Sequence, residues 1–123
     1  GNWWANTGQK QAQVDYFRDI GLGRTEFDFV EDFFHDVPAA VREEALSRPA
    51  PEQSDTPLAE PWPLPDWPDV PTRVLAGIQD RLFPLEFQRR VVRERLGLEV
   101  EVIPGGHLAA LSQPDAVAAA LLR

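Results

Sequence analysis

Apolar positions follow three different patterns along this 123-residue chain. Over residues 1–48 they recur at helical spacing. Gln9 to Ile20 predicts a helix that Gly21 and Gly23 stop. Phe27, Val30, Phe33 and Phe34 fall three and four apart, the spacing of one helix face, and predict a second. Asp36 is placed to cap a third, with Pro38 in its first turn and Val41, Ala45 and Leu46 along one side.

Residues 49–71 break this rhythm with prolines from Pro49 to Pro71, which exclude regular helix and central strand because proline fixes φ and lacks an N–H. Trp62 and Trp67 lie inside the stretch and predict a segment pinned against a surface rather than a free linker.

Residues 72–123 read as an alternating unit. Thr72 to Ala76 is a short apolar run ending at Gly77, as in a buried strand. Pro84 opens a helix to Leu96, with Phe87 and Val91, then Val92 and Leu96, four apart, and Gly97 stops it. Leu98 to Ile103 predicts a second strand, with Leu98, Val100 and Val102 alternating against Glu99 and Glu101. After the turn Pro104-Gly105-Gly106, Pro114 opens a last helix with Val117, Leu121 and Leu122 on its buried side. Strand, helix, strand, helix implies two parallel strands joined by a right-handed crossover.

Composition narrows the function classes. A 43% hydrophobic and 26% charged make-up is that of a folded chain. Twelve basic against 20 acidic side chains give a net charge of -8, which repels nucleic-acid phosphates and anionic lipid, so neither partner is expected. Arg89, Arg90, Arg93 and Arg95 alternate with Glu86, Glu94 and apolar positions, the signature of a solvated helix face. The absence of cysteine excludes disulfides and thiolate metal sites and fits a reducing compartment, so a cytoplasmic location is expected. No apolar run approaches the roughly 20 residues that span a bilayer. Gly1-Asn2-Trp3-Trp4 is no signal peptide. The chain contains no methionine, so a piece of a longer polypeptide is expected.

Two residues carry the candidate chemistry. Asp80 follows the first strand in Gly77-Ile78-Gln79-Asp80-Arg81-Leu82-Phe83-Pro84, and His107 follows the second in Pro104-Gly105-Gly106-His107-Leu108. Functional groups of parallel sheets collect at the carboxyl ends of strands. Neighbouring strands lie about 4.8 Å apart, so a carboxylate and an imidazole on adjacent loops can bond. A carboxylate on one ring nitrogen fixes the tautomer and stabilises the imidazolium formed when the other nitrogen takes a proton. Singly, each has a plainer reading: Asp80 as a cap for the helix at Pro84, His107 as a turn histidine. His35 reads as a helix-end residue, and a metal site would need it to converge with His107 and carboxylates from elsewhere in the chain, so no metal site is expected.

Gly-x-x-Asp-x-x-x-Pro followed by Gly-Gly-His, with Pro68-Asp69-Val70-Pro71-Thr72-Arg73-Val74-Leu75 leading in, resembles the C-terminal half of the α/β-hydrolase fold. The resemblance implies a partial α/β fold: a helical lid-like segment with a Pro-rich connector over 1–71, then a β-α-β-α unit over 72–123. It implies that Asp80 is the triad acid and His107 the base, that the substrate of the complete enzyme is a small ester, amide or related acyl compound, and that no cofactor is needed. Phe27, Phe29, Phe33 and Phe34 then line an acyl pocket or pack the lid helices together, and Trp3 and Trp4 anchor the lid.

The family's Gly-x-Ser-x-Gly is missing, since Ser47, Ser54 and Ser112 lack flanking glycines. The chain alone is therefore expected to form no acyl-enzyme. Two parallel strands leave open edges, so the missing N-terminal half or a second copy in a homo-oligomer is the expected partner. The remaining alternative is a binding module that kept the scaffold without the chemistry.

Overall fold

A computed structural model describes residues 3–123. In chain order the elements are α1 (Trp3–Thr7), α2 (Gln9–Asp19), α3 (Phe29–Phe34), α4 (Ala39–Leu46), α5 (Thr56–Ala59), β1 (Val74–Gly77), α6 (Leu85–Leu96), β2 (Val100–Ile103), α7 (Ala109–Ser112) and α8 (Pro114–Leu121). The fold is a partial α/β arrangement. β1 and β2 pair in parallel with Val74 opposite Val100 and Gly77 opposite Ile103. Strand alternation puts Leu75 and Ile103 on one face, where they join Ala109, Val117 and Ala120 in the core cluster. The α6 helix packs against both strands and buries Phe87 and Val92.

Helix boundaries follow local chemistry. Gly8, in the left-handed region at φ 73°, separates α1 from α2. Gly97, at φ 66°, ends α6 as expected. The α3 helix starts later than periodicity predicts. Asp28 caps it by accepting the Glu31 N–H, so Phe27 lies before the helix and Val30 is exposed. Asp36 caps nothing: Pro38 begins α4 without a side-chain cap. The strands are shorter than expected, because Leu98 and Glu99 precede β2 and Thr72 and Arg73 precede β1.

The buried stripe of α2 is Gln9, Gln13 and Phe17, spaced four apart. Burying two amides is tolerable only if they are bonded. Gln9 Nε2 donates to the Leu82 carbonyl at 2.6 Å, and Gln13 Nε2 to the Thr25 carbonyl at 2.9 Å.

Three expectations need correction. The buried residue of α8 is Ala120, while Leu121 and Leu122 are 66% and 88% exposed, because the helix presents its small side chains to the sheet. Residues 61–71 are exposed throughout rather than pinned down. Trp62 and Trp67 instead stack on one another at 5.6 Å and 12°, facing Val91 and Leu96 of α6 across a cleft of about 570 Å³. The arginines of α6 are not simply solvated: Arg90 donates to the Thr7 carbonyl and Arg95 to Asn6 Oδ1, tying α6 to α1.

Candidate acid–base site

The loops after β1 and β2 are stitched together by their backbones. Ile78 N–H donates to the Ile103 carbonyl and Gln79 N–H to the Gly105 carbonyl, both at 2.9 Å. That approach needs glycine at the end of β1: a Cβ on Gly77 would lie 2.6 Å from the carbonyl oxygens of both Gly105 and Gly106. Gly105 sits at φ 104°, a conformation open to glycine, where a Cβ would press on Ser112, Gln113 and Ala109.

This packing brings Asp80 and His107 together. His107 Nδ1 lies 2.9 Å from Asp80 Oδ2. A carboxylate only accepts, so the imidazole proton sits on Nδ1 and the Nε2 lone pair is left as an acceptor. Asp80 is buried, and its second oxygen accepts the N–H groups of Leu82 at 2.9 Å and Phe83 at 2.8 Å. Asp80 does not cap α6, which starts without a side-chain cap: one of its oxygens holds the turn at Leu82 and Phe83, and the other faces the histidine. The His107 ring is held between Phe33, 5.1 Å away, and Phe83, 5.2 Å away.

The three phenylalanines of α3 divide. Phe33 alone touches His107. Phe29 is 57% exposed and meets Phe33 edge-on at 5.0 Å, while Phe34 is turned into the interior. Phe27 packs on Phe33 at 4.9 Å. Trp3 and Trp4 lie edge-on or tilted against Phe83. The aromatic contacts thus run from α3 across His107 to α6.

Two carboxylates brace these loops: Asp32, which sequence reasoning passed over, and Asp36, which it assigned to a helix cap. Asp32 of α3 is fully buried. It accepts two hydrogen bonds from Arg24, at 2.6 and 2.7 Å, one from Arg81 at 3.1 Å and one from Asp28 N–H at 2.7 Å. Burial works against its charge, yet these bonds hold its carboxyl below the usual range, and they raise Arg24 in turn. Arg81 adjoins Asp80, so the network fastens the loop after β1 to α3. Burial pushes the nearby Tyr16 phenol above its usual value; Arg81 opposes this shift and Asp80 adds to it. On the other loop, Asp36 Oδ2 accepts the Gly106 N–H at 2.7 Å. The signal available for Asp32 was an acidic side chain inside the aromatic run Phe29-Val30-Glu31-Asp32-Phe33-Phe34.

None of the serines bonds His107. The Ser47 hydroxyl donates to the Glu44 carbonyl, Ser54 bonds Thr56, and Ser112 Oγ is buried without a partner among the described residues. Among the described residues no cluster of three His, Cys, Asp or Glu could hold a metal ion, and no helix is long and apolar enough to cross a membrane.

Residues 3–120 match the model of the alpha/beta hydrolase family. Comparison with curated proteins and with solved structures found no match.

Proposed function

The chain belongs to the alpha/beta hydrolase family, whose model matches residues 3–120, and we propose that Asp80 and His107 are the acid and base of an acyl hydrolase whose serine is none of the three in this sequence. The observation that carries this reading is the 2.9 Å contact between His107 Nδ1 and Asp80 Oδ2 at the carboxyl ends of paired parallel strands. In the complete enzyme, His107 Nε2 takes the proton of the serine hydroxyl and later returns it to the leaving group. Asp80 fixes the tautomer and stabilises the imidazolium between those steps. Residues 1–71 act as the lid and its connector, and Phe33 and Phe29 present an apolar wall to a small ester or amide. The chain by itself is inactive.

Reconstitution tests the proposal. The chain is co-expressed with an N-terminal hydrolase half carrying Gly-x-Ser-x-Gly, and hydrolysis of a nitrophenyl ester is followed. Activity that disappears in His107→Ala supports the reading; activity indifferent to His107→Ala overturns it. A fluorophosphonate probe labels nothing in the chain alone, and labelling there would contradict a nucleophile supplied from elsewhere.

A second reading, self-association, is favoured by the open strand edges and by exposed Val70, Ile78, Val102 and Leu122. In this reading a second copy covers the surface that the first reading gives to the N-terminal half. Light scattering of the pure chain separates them, and a monomer at high concentration excludes the second.

A further inference from the structure

The Asp36 carboxylate does none of the local work its sequence position suggests. It caps no helix and reaches across the fold to the backbone of Gly106, the residue before His107. Its neighbour His35 closes α3 as the C-cap and lies against the same glycine. A Cβ on Gly106 would stand 2.7 Å from His35 Nε2 and 2.9 Å from Asp36 Oδ1, so the loop approaches this pair only because it carries glycine there. On its other flank the loop is held by the Gln79 bond to Gly105 and by Ser112 and Ala109 packed on Gly105. The backbone that carries His107 is thereby gripped from two sides, and on one of them the grip is a single charge-assisted hydrogen bond. Such bonds are about twice as strong as neutral ones, and breaking this one strands a buried N–H.

We infer that Asp36 is a positioning residue for His107: by accepting the Gly106 N–H it fixes the backbone from which the imidazole meets Asp80. This inference rests on the proposed acid–base pairing and extends it to a residue that touches neither reacting group. The Asp36 oxygen that does not bond Gly106 is buried without a hydrogen-bond partner among the described residues and lies 4.0 Å from Nε2 of His35, which has no hydrogen-bond partner among them either. The carboxylate therefore spends its one hydrogen bond on the loop.

The test reads the His107 ring in the full chain by nitrogen-resolved NMR. The sequence has two histidines, so His107→Gln assigns the signals. The protein as it stands is expected to show a slowly exchanging Nδ1 proton on His107. Asp36→Ala is expected to lose that signal while the fold persists, and Asp36→Asn, which keeps an accepting oxygen, to retain it. A folded Asp36→Ala with the signal intact overturns the inference, as does an Asp36→Asn that behaves like alanine. Should Asp36→Ala fail to fold, Asp36→Glu keeps the charge and shifts the oxygens by one methylene; loss of the signal supports the inference and its full retention overturns it. Asp80→Asn separates the two levels of the argument. If that variant keeps the signal, the pairing itself is wrong; if it loses the signal while Asp36→Ala does not, the pairing stands and the positioning role falls.

Discussion

Gly77 and Gly106 meet backbone to backbone where the two strands end, so closely that a methyl group on Gly77 would sit 2.6 Å from the Gly106 carbonyl oxygen. The contact decides how near the loop bearing Asp80 comes to the loop bearing His107. Gly77→Ala must push the second loop away. It is expected to cost about 1–3 kcal/mol of stability in urea unfolding, the range for overpacking a close contact, and to weaken the Asp80–His107 bond. Unchanged stability together with an unchanged His107 ring signal would refute this.

Asp80→Asn is nearly isosteric and tests the tautomer. Its amide oxygen can still accept from Leu82 and Phe83, which leaves the NH₂ group facing His107 Nδ1 and drives the ring proton to Nε2. Ester hydrolysis by the reconstituted enzyme is expected to fall by roughly four orders of magnitude, as when a triad histidine is held in the wrong tautomer. A drop of less than tenfold would argue against the acid role.

Asp32→Ala leaves Arg24 and Arg81 facing an empty buried site. The expected loss is about 3 kcal/mol, the lower end for breaking a buried ion pair, since Arg24 is partly exposed. The folded carboxyl lies below its unfolded value of about 3.9. Its stabilisation is therefore complete above that value and fades as pH falls through the folded pKa. Asp32→Asn should flatten this part of the acid-unfolding curve; an identical acid limb in the variant and the parent chain would show that Asp32 contributes nothing there.

Phe17 is the largest fully buried side chain, at 0% exposure, with the Arg24 guanidinium 5.0 Å from its ring centre. Phe17→Ala is expected to cost about 3–5 kcal/mol. Thermal unfolding checks this, and a shift of only a degree or two would mean that α2 is loosely attached.

The strand–helix–strand–helix order of residues 72–123 was legible because hydrophobic period and glycine or proline stops agree there. The juxtaposition of Asp80 and His107 was readable for the same reason, since parallel strands align their carboxyl ends. The bracing was not. Asp32 meets Arg81 across 49 residues and Asp36 meets Gly106 across 70, and neither pairing leaves a local period or spacing. Asp36 also occupies a plausible capping position, so the local rule gave a sensible but wrong partner. In α2 the inward face carries two glutamines, which a hydrophobic pattern cannot register. In α8 the pattern chose large residues, whereas close packing on the sheet selected Ala120.

The stacked indoles of Trp62 and Trp67 supply an optical reporter on the connector alone. Two indoles stacked 5.6 Å apart couple their excited states, so the pair adds its own contribution to the tryptophan circular dichroism. Trp3 and Trp4 meet almost at right angles, so their contribution differs. Subtracting the spectrum of Trp67→Phe isolates the connector's contribution, so whatever comes to cover residues 61–71 can be followed without a label.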